Sequence, residues 1–178
     1  MSNIRTRIEH LLSQRILVLD GAMGTTIQRH TLTEKDFRGE RFTSHPRELR
    51  GNNDMLVLTR PDIILGIHEQ YLDAGADIIE TNSFSGTAIA QADYALEPFV
   101  YELNFEAARL AKHATDKWTT PDKPRFVAGA IGPTNKTLSI SPDVNDPAFR
   151  AVTFDQMKDA FAEQVRGLID GGADLLLI

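Results

Sequence analysis

Cysteine is absent from the 178 residues, which excludes disulfides, zinc-thiolate sites and cysteine nucleophiles within this sequence. Basic runs are absent as well. The 25 acidic residues outnumber the 19 basic ones for a formal charge of −6, and no Lys/Arg-rich stretch is placed to follow a phosphate backbone, so nucleic acid is not expected as a partner. No apolar run approaches the ~20 residues that a membrane span needs. The first 14 residues mix Arg5, Arg7, Glu9 and His10 among apolar positions, and the sequence reads as cytoplasmic. The five histidines are scattered, with no close pair and no HExxH spacing, so any metal chemistry has to come from outside these residues.

What is present is a repeating α/β pattern. With 42% apolar residues, the sequence can bury the core of one domain or of part of one. Four short, nearly continuous apolar runs bounded by Gly or Pro read as buried parallel strands: 16–20, 76–82, 126–132 and 173–178. Helical spacing lies between them. Pro61 fits a first-turn position, with Ile63, Ile64, Ile67, Tyr71 and Ala74 on one face and Gly75 as a left-handed stop. Residues 98–115 place Phe99, Leu103, Ala107, Leu110 and Ala114 at helical spacing, and Thr153 with Gln156 forms a capping box that opens a third helix. The order is β-α-β-α-β-α-β.

The segment Leu72 to Ile79 matches Ile169 to Leu176 almost residue for residue, so one helix-to-strand junction is used twice. Such a repeat fits quarter-barrels of a (βα)8 fold, and a doubly wound sheet would show it too. The junctions into strands are tight, whereas residues 21–60 and 133–152 after strand ends are long. In parallel α/β folds ligands bind at the C-terminal ends of strands, which directs attention to Asp20, Asn82 and Gly132.

Each of these positions has two readings. Asp20-Gly21-Ala22-Met23-Gly24 after the first run is either a turn with sterically required glycines or a place where backbone amides approach a small ligand; it is neither a GxGxxG fingerprint nor a phosphate loop. Period-2 geometry puts Glu80 and Asn82 on one face of the second run. Burying the Glu80 carboxylate costs several kcal/mol unless it is paired, so it is satisfied structurally or held for a ligand. Asn82, nearer the rim, is the better ligand contact. Gly129 to Gly132 marks a crowded crossing or a close approach. His68 is expected on the surface or at a cap, and Trp118 in a loop over a helix end.

Taken together, the segments Arg15 to Thr25, Phe37 to Phe42, Gly51 to Asp54, Ala74 to Phe84 and Gly132 to Asn135 resemble the N-terminal homocysteine-binding domain of cobalamin-dependent methionine synthases. The first- and second-run motifs are shared by homocysteine methyltransferases generally. Phe37 to Phe42 and Ser139 to Pro147 resemble the cobalamin-dependent branch in particular. The resemblance implies the first half of a (βα)8 TIM barrel, truncated after its fourth strand, with residues 1–14 as an N-terminal helical extension and 15–178 as the incomplete barrel. The last apolar run stops at Ile178 with no turn or polar tail, which reads as a cut within a longer protein. The resemblance implies methyl transfer from methylcobalamin to homocysteine, forming methionine, with zinc ligation making the thiol a thiolate.

By that resemblance Asp20 pairs with the homocysteine ammonium, amides around Gly21 and Ala22 help bind its carboxylate, and Asn82 lines the pocket. The three zinc-binding cysteines of the family lie on later strands and are expected beyond Ile178, as is a glutamate that contacts the amino acid after the fourth strand. No catalytic residue and no metal ligand is therefore expected within this span, and the fragment alone is expected to be inactive and free of zinc and methylcobalamin. The implied partners are homocysteine and the folate- and cobalamin-binding domains of the same parent chain. Two other readings remain: a cobalamin-independent homocysteine methyltransferase using a sulfonium or betaine donor, and a non-catalytic half-barrel acting as an interaction module. Unpaired edges at its outer strands would favour self-association.

Overall fold

The computed structural model describes residues 4–178. Three parallel strands, β1 (Ile78–Glu80), β2 (Phe126–Ala130) and β3 (Leu175–Leu177), form a sheet in chain order. The segment 16–20 lies along the other edge of β1, where Leu19 bridges to Ile78 and the Asp20 amide donates to the Ile78 carbonyl at 3.0 Å. A helix precedes each strand: α5 (Pro61–Asp73), α7 (Val100–Trp118) and α8 (Phe154–Asp170). α7 packs against both α5 and α8, and Ile79 and Val127 join Leu72, Ala111 and Ala114 in one buried cluster beneath them. A doubly wound sheet reverses its strand order; here each unit is added on the same side, an α/β arrangement consistent with a partial (βα)8 barrel.

The helix boundaries follow local chemistry. Pro61 opens α5 at its first turn, and Gly75 at φ 109° ends it. α8 opens on a complete capping box, in which the Thr153 hydroxyl accepts from the Gln156 amide at 3.2 Å and the Gln156 side chain accepts from the Thr153 amide at 2.8 Å. α1 (Ile4–Leu12) contributes no buried residue, although the Arg7 guanidinium lies 5.7 Å from the centre of the Phe126 ring. No helix among the described residues is long and apolar enough to cross a membrane.

The repeated junction makes the same hydrogen-bond ring both times. The Asp77 amide donates to the Val18 carbonyl at 2.7 Å, and the Asp77 carboxylate accepts from the Val18 amide at 2.9 Å. The Asp174 amide and carboxylate do the same with Val127, both at 2.9 Å. Each aspartate thus registers its strand against the preceding one. The glycines before them, Gly75 at φ 109° and Gly172 at φ 100°, make the reversal that L side chains resist.

Six expectations need correction. The regular strands are shorter than the apolar runs, and the first run is no buried strand: Ile16, Val18 and Leu19 are 85%, 52% and 40% exposed, because among the described residues nothing pairs with its outer edge. The last run is not buried throughout either. β3 ends at Leu177, and Ile178 lies outside it at 99% exposure, since among the described residues only β2 pairs with β3. The connection 21–60 is not a plain loop; it contains α2 (Met23–Gln28), α3 (Glu34–Arg38) and α4 (Leu56–Thr59), and Phe37, Phe42, Leu49, Met55 and Leu56 enter the main core. His68 is not at the surface or a cap. It is fully buried, neither ring nitrogen is hydrogen-bonded among the described residues, and burial lowers its pKa to about 4. Trp118 is the last residue of α7 and packs on the second apolar cluster rather than lying in a loop.

The Phe37 to Phe42 segment is latched from within. The Glu34 carboxylate accepts from Arg38 Nε at 2.6 Å and from the amides of Leu49 and Arg50, while Arg38 donates to the carbonyls of Phe42, His45 and Arg47. These bonds fold the long connection back over α5 and α7, towards the C-terminal ends of the strands.

Candidate functional site

A cavity of about 370 Å³ lies at those strand ends, and Asp20, Gly21, Ala22 and Asn82 all line it. The structure therefore brings together residues from opposite ends of a long stretch of sequence. Ile178, on the exposed end of the last run, is not part of this lining. Asp20 sits where segment 16–20 leaves the sheet, its Oδ1 accepting from the Glu80 amide at 2.9 Å. Burial raises its pKa to about 7, helped by the nearby Glu80 carboxylate and opposed by the amide hydrogen bonds.

The turn that follows is conformationally special. Ala22 has φ 23° and ψ 48°, and α2 begins at the next residue without a side-chain cap, so the first amides of that helix have no intrahelical acceptor. A Cβ added at Gly21 would meet no protein atom within 4 Å, whereas one at Gly24 would lie 3.7 Å from Asn53 Nδ2. The first glycine faces open space, which a purely steric need does not explain.

Beyond β1 the chain is held from every side. Thr81 and Ser83 hydroxyls lie 2.7 Å apart, Thr81 accepts from the Ala130 amide at 2.9 Å, and Ser83 donates to the Ala130 carbonyl at 2.9 Å. Gln164 of α8 donates to the Ser83 carbonyl at 2.8 Å, Asn104 of α7 to that of Gly86 at 2.7 Å, and Gln91 to that of Ser85 at 3.0 Å. Asn82 is 6% exposed, and its Nδ2 donates to the Asn53 carbonyl at 2.8 Å, so its amide group fastens the cavity wall while the residue lines the space. Glu80 is partly exposed at the cavity, burial raises its pKa, and among the described residues its carboxylate has no hydrogen-bond or ion-pair partner. A structural partner for Glu80 is therefore not found.

Gly132 lies outside this lining. Its amide donates to the Phe84 carbonyl at 3.0 Å, and an added Cβ would collide with that carbonyl oxygen and come within 2.8 Å of the Phe84 ring. The crowded-crossing reading of this glycine is the one the geometry bears out.

Asp54 was not singled out from the sequence, yet it lines the cavity together with Gly51 and Asn53. It is 7% exposed, its Oδ1 accepts from the Ser85 amide at 3.1 Å, and burial raises its pKa to about 6. In Gly51-Asn52-Asn53-Asp54 it looked like one polar loop residue among several, and no local pattern marks an aspartate that folds inward over a distant strand. Asp20, Asp54 and Glu80 face the cavity with no basic side chain among its lining. The site is thus suited to a small ligand carrying a cationic group. The chain has no cysteine, and no group of three metal-binding side chains occurs among the described residues.

The profile of the homocysteine S-methyltransferase family matches residues 17–178. The chain belongs to that family. Among solved structures, this homocysteine S-methyltransferase family member is similar to the homocysteine methyltransferase MmuM from Escherichia coli. The metallated form superposes with a TM-score of 0.68 at 23% identity over 94% of this chain and 55% of that one. The oxidised form gives 0.67 at 23% identity over 93% and 53%, and the apo form 0.60 at 22% over 93% and 50%. At such identity the likeness is one of fold, and the chain spans about half the length of the structures it matches.

Proposed function

We propose that this chain is the homocysteine-binding half of a (βα)8 methyltransferase of the cobalamin-dependent methionine synthase type. The observation that supports the reading is the acid-lined cavity at the strand ends, where Asp20 would pair with the ammonium group and the amides around Gly21 and Ala22 would help bind the amino acid's carboxylate. Asn82 and Glu80 complete the wall. A thiol of pKa about 8.5 is mostly protonated at neutral pH; a zinc ion would supply the thiolate, and MmuM has a metallated form. Its ligands, the methylcobalamin donor and the folate- and cobalamin-binding domains belong to other parts of the parent protein, the ligand cysteines beyond Ile178. The role of this half is to hold and orient the amino acid.

A cobalamin-independent enzyme with a sulfonium or betaine donor is the second reading, favoured by the same acidic lining because those donors carry a fixed positive charge. A half-barrel that associates with a second copy is the third; the exposed Ile16 and Val18 on an unpaired edge favour it, and a light-scattering mass equal to one chain would count against it. Titration calorimetry of homocysteine into the intact protein tests the first reading. Asp20→Asn is expected to weaken binding roughly tenfold or more; equal affinity in the variant, or no binding by the unaltered protein, overturns the assignment. Methyl transfer by the full-length parent protein that requires added methylcobalamin separates the first reading from the second.

A further inference from the structure

We infer that Asp54 is a specificity-determining residue of this cavity, acting with Asp20 to admit thiols that carry an amino group and to turn away thiols that carry a carboxylate alone. The inference rests on the homocysteine-binding reading above and adds to it a residue and a rule for substrate class.

Asp54 is built into place. Its segment is pinned at the two residues before it: Asn52 Nδ2 donates to Gln91 Oε1 at 2.7 Å, and the Asn53 carbonyl accepts from Asn82 at 2.8 Å. The Asp54 carboxylate, 7% exposed, holds the Ser85 amide at 3.1 Å. Apart from its own amide, no further donor among the described residues reaches it, and no cation pairs with it. If the only task were to hold one amide, an asparagine oxygen would serve at the same distance and without the cost of desolvating a carboxylate. The charge is therefore surplus to the architecture, and it is aimed into a space that Asp20 and Glu80 also face.

Burial raises Asp54 to about 6, so it is mainly ionised at pH 7.5 and its field persists in the cavity. At an effective dielectric near 20, a unit charge several ångströms away shifts the affinity of a charged ligand by about tenfold or more. The sign favours an ammonium and disfavours a carboxylate. Homocysteine carries both, and on the homocysteine-binding reading the backbone amides around Gly21 and Ala22 would take its carboxylate, so its ammonium decides entry.

The experiment measures calorimetric affinities of three ligands for the intact protein at pH 7.5 under reducing conditions: homocysteine, 3-aminopropane-1-thiol and 4-mercaptobutyrate. The unaltered protein is expected to prefer the aminothiol over the mercaptoacid, and Asp54→Asn is expected to reduce that preference about tenfold. A uniform loss for all three ligands, as a merely structural role would give, or an unchanged preference overturns the inference. Asp54→Ser, which keeps an acceptor for the Ser85 amide, serves if Asp54→Asn does not fold. If the unaltered protein ignores homocysteine yet binds the aminothiol in an Asp54-dependent way, the homocysteine reading falls and the charge rule stands; indifference to all three ligands overturns both.

Discussion

Residues 72–79 and 169–176 share a sequence and build the same aspartate-amide ring, yet the two junctions live in different surroundings. Asp77 is 1% exposed and carries Arg15 on its carboxylate through two hydrogen bonds of 2.7 Å, whereas Asp174 is half-buried and among the described residues its carboxylate meets only the Val127 amide. Ile79 is fully buried, while its counterpart Leu176 is 37% exposed. Ninety-seven residues apart, His68 occupies the helix position that Val165 holds in the second copy. Local sequence thus specifies the junction, and neighbouring elements set its energetics: β1 is flanked by segment 16–20 and by β2, whereas β3 is paired only with β2 among the described residues.

The sharpest way to break this comparison is to remove each aspartate. Asp77→Ala is expected to cost about 3 kcal/mol in denaturant unfolding, because it strips a partly buried amide and a guanidinium of their buried acceptor, whereas Asp174→Ala should cost about 1 kcal/mol. Equal losses would show that the surroundings do not matter. Burial pushes the Asp77 carboxyl up, but Arg15 and the Val18 amide outweigh it and hold its pKa below the usual carboxylate range. Its contribution should therefore be complete above about pH 4 and fall away as the pH drops through the lowered value.

His68 supplies a pH test of the helices. Its pKa is about 4 in the folded protein and about 6.5 when unfolded, so below pH 6.5 the unfolded chain binds a proton that the folded one does not. Stability should fall progressively from about pH 6.5 to about pH 4, by at most about 3 kcal/mol from this group. His68→Val, which copies the second repeat, should flatten that part of the profile; an unchanged slope between those pH values would refute it.

Smaller effects should be symmetrical. Gly75→Ala and Gly172→Ala each place an L side chain at φ near 100° with only ordinary contacts around the new Cβ, and each is expected to lower stability by about 1–2 kcal/mol. Capping distinguishes the helices again: Thr153→Ala should cost about 1 kcal/mol, while Arg60→Ala at the start of α5, where no side chain caps the helix, should have no capping cost. Thermal unfolding of the four variants side by side checks both expectations.

Much of the scaffold was legible because its signals are local. Pro61, Gly75 and the Thr153–Gln156 box mark helix ends through backbone requirements of a few residues, and β2 is apolar on both faces because both are covered. The first apolar run looked equally strand-like, and its exposure depends on what lies beyond its outer edge, which no local pattern contains; the same is true of Ile178 at the opposite edge. The site follows the same division. Asp20 and Asn82 stood out because each ends an apolar run, but Asp54 reaches the cavity through a fold-back held by Glu34 and Arg38, and its loop composition hides it. Asn82 was legible as a pocket residue; its hydrogen bond to the Asn53 carbonyl was not.

By itself, the sequence determined the α/β alternation, the repeated junction and the acidic and glycine-rich strand ends, since these follow from side-chain periodicity and backbone preference over short spans. Only the tertiary structure decided that the strands add in chain order, that His68 is buried with no hydrogen-bond partner among the described residues and that three carboxyl groups from distant segments face one cavity. Those features are sums over contacts between remote residues, and the burial that shifts their pKa values exists only after the segments have packed.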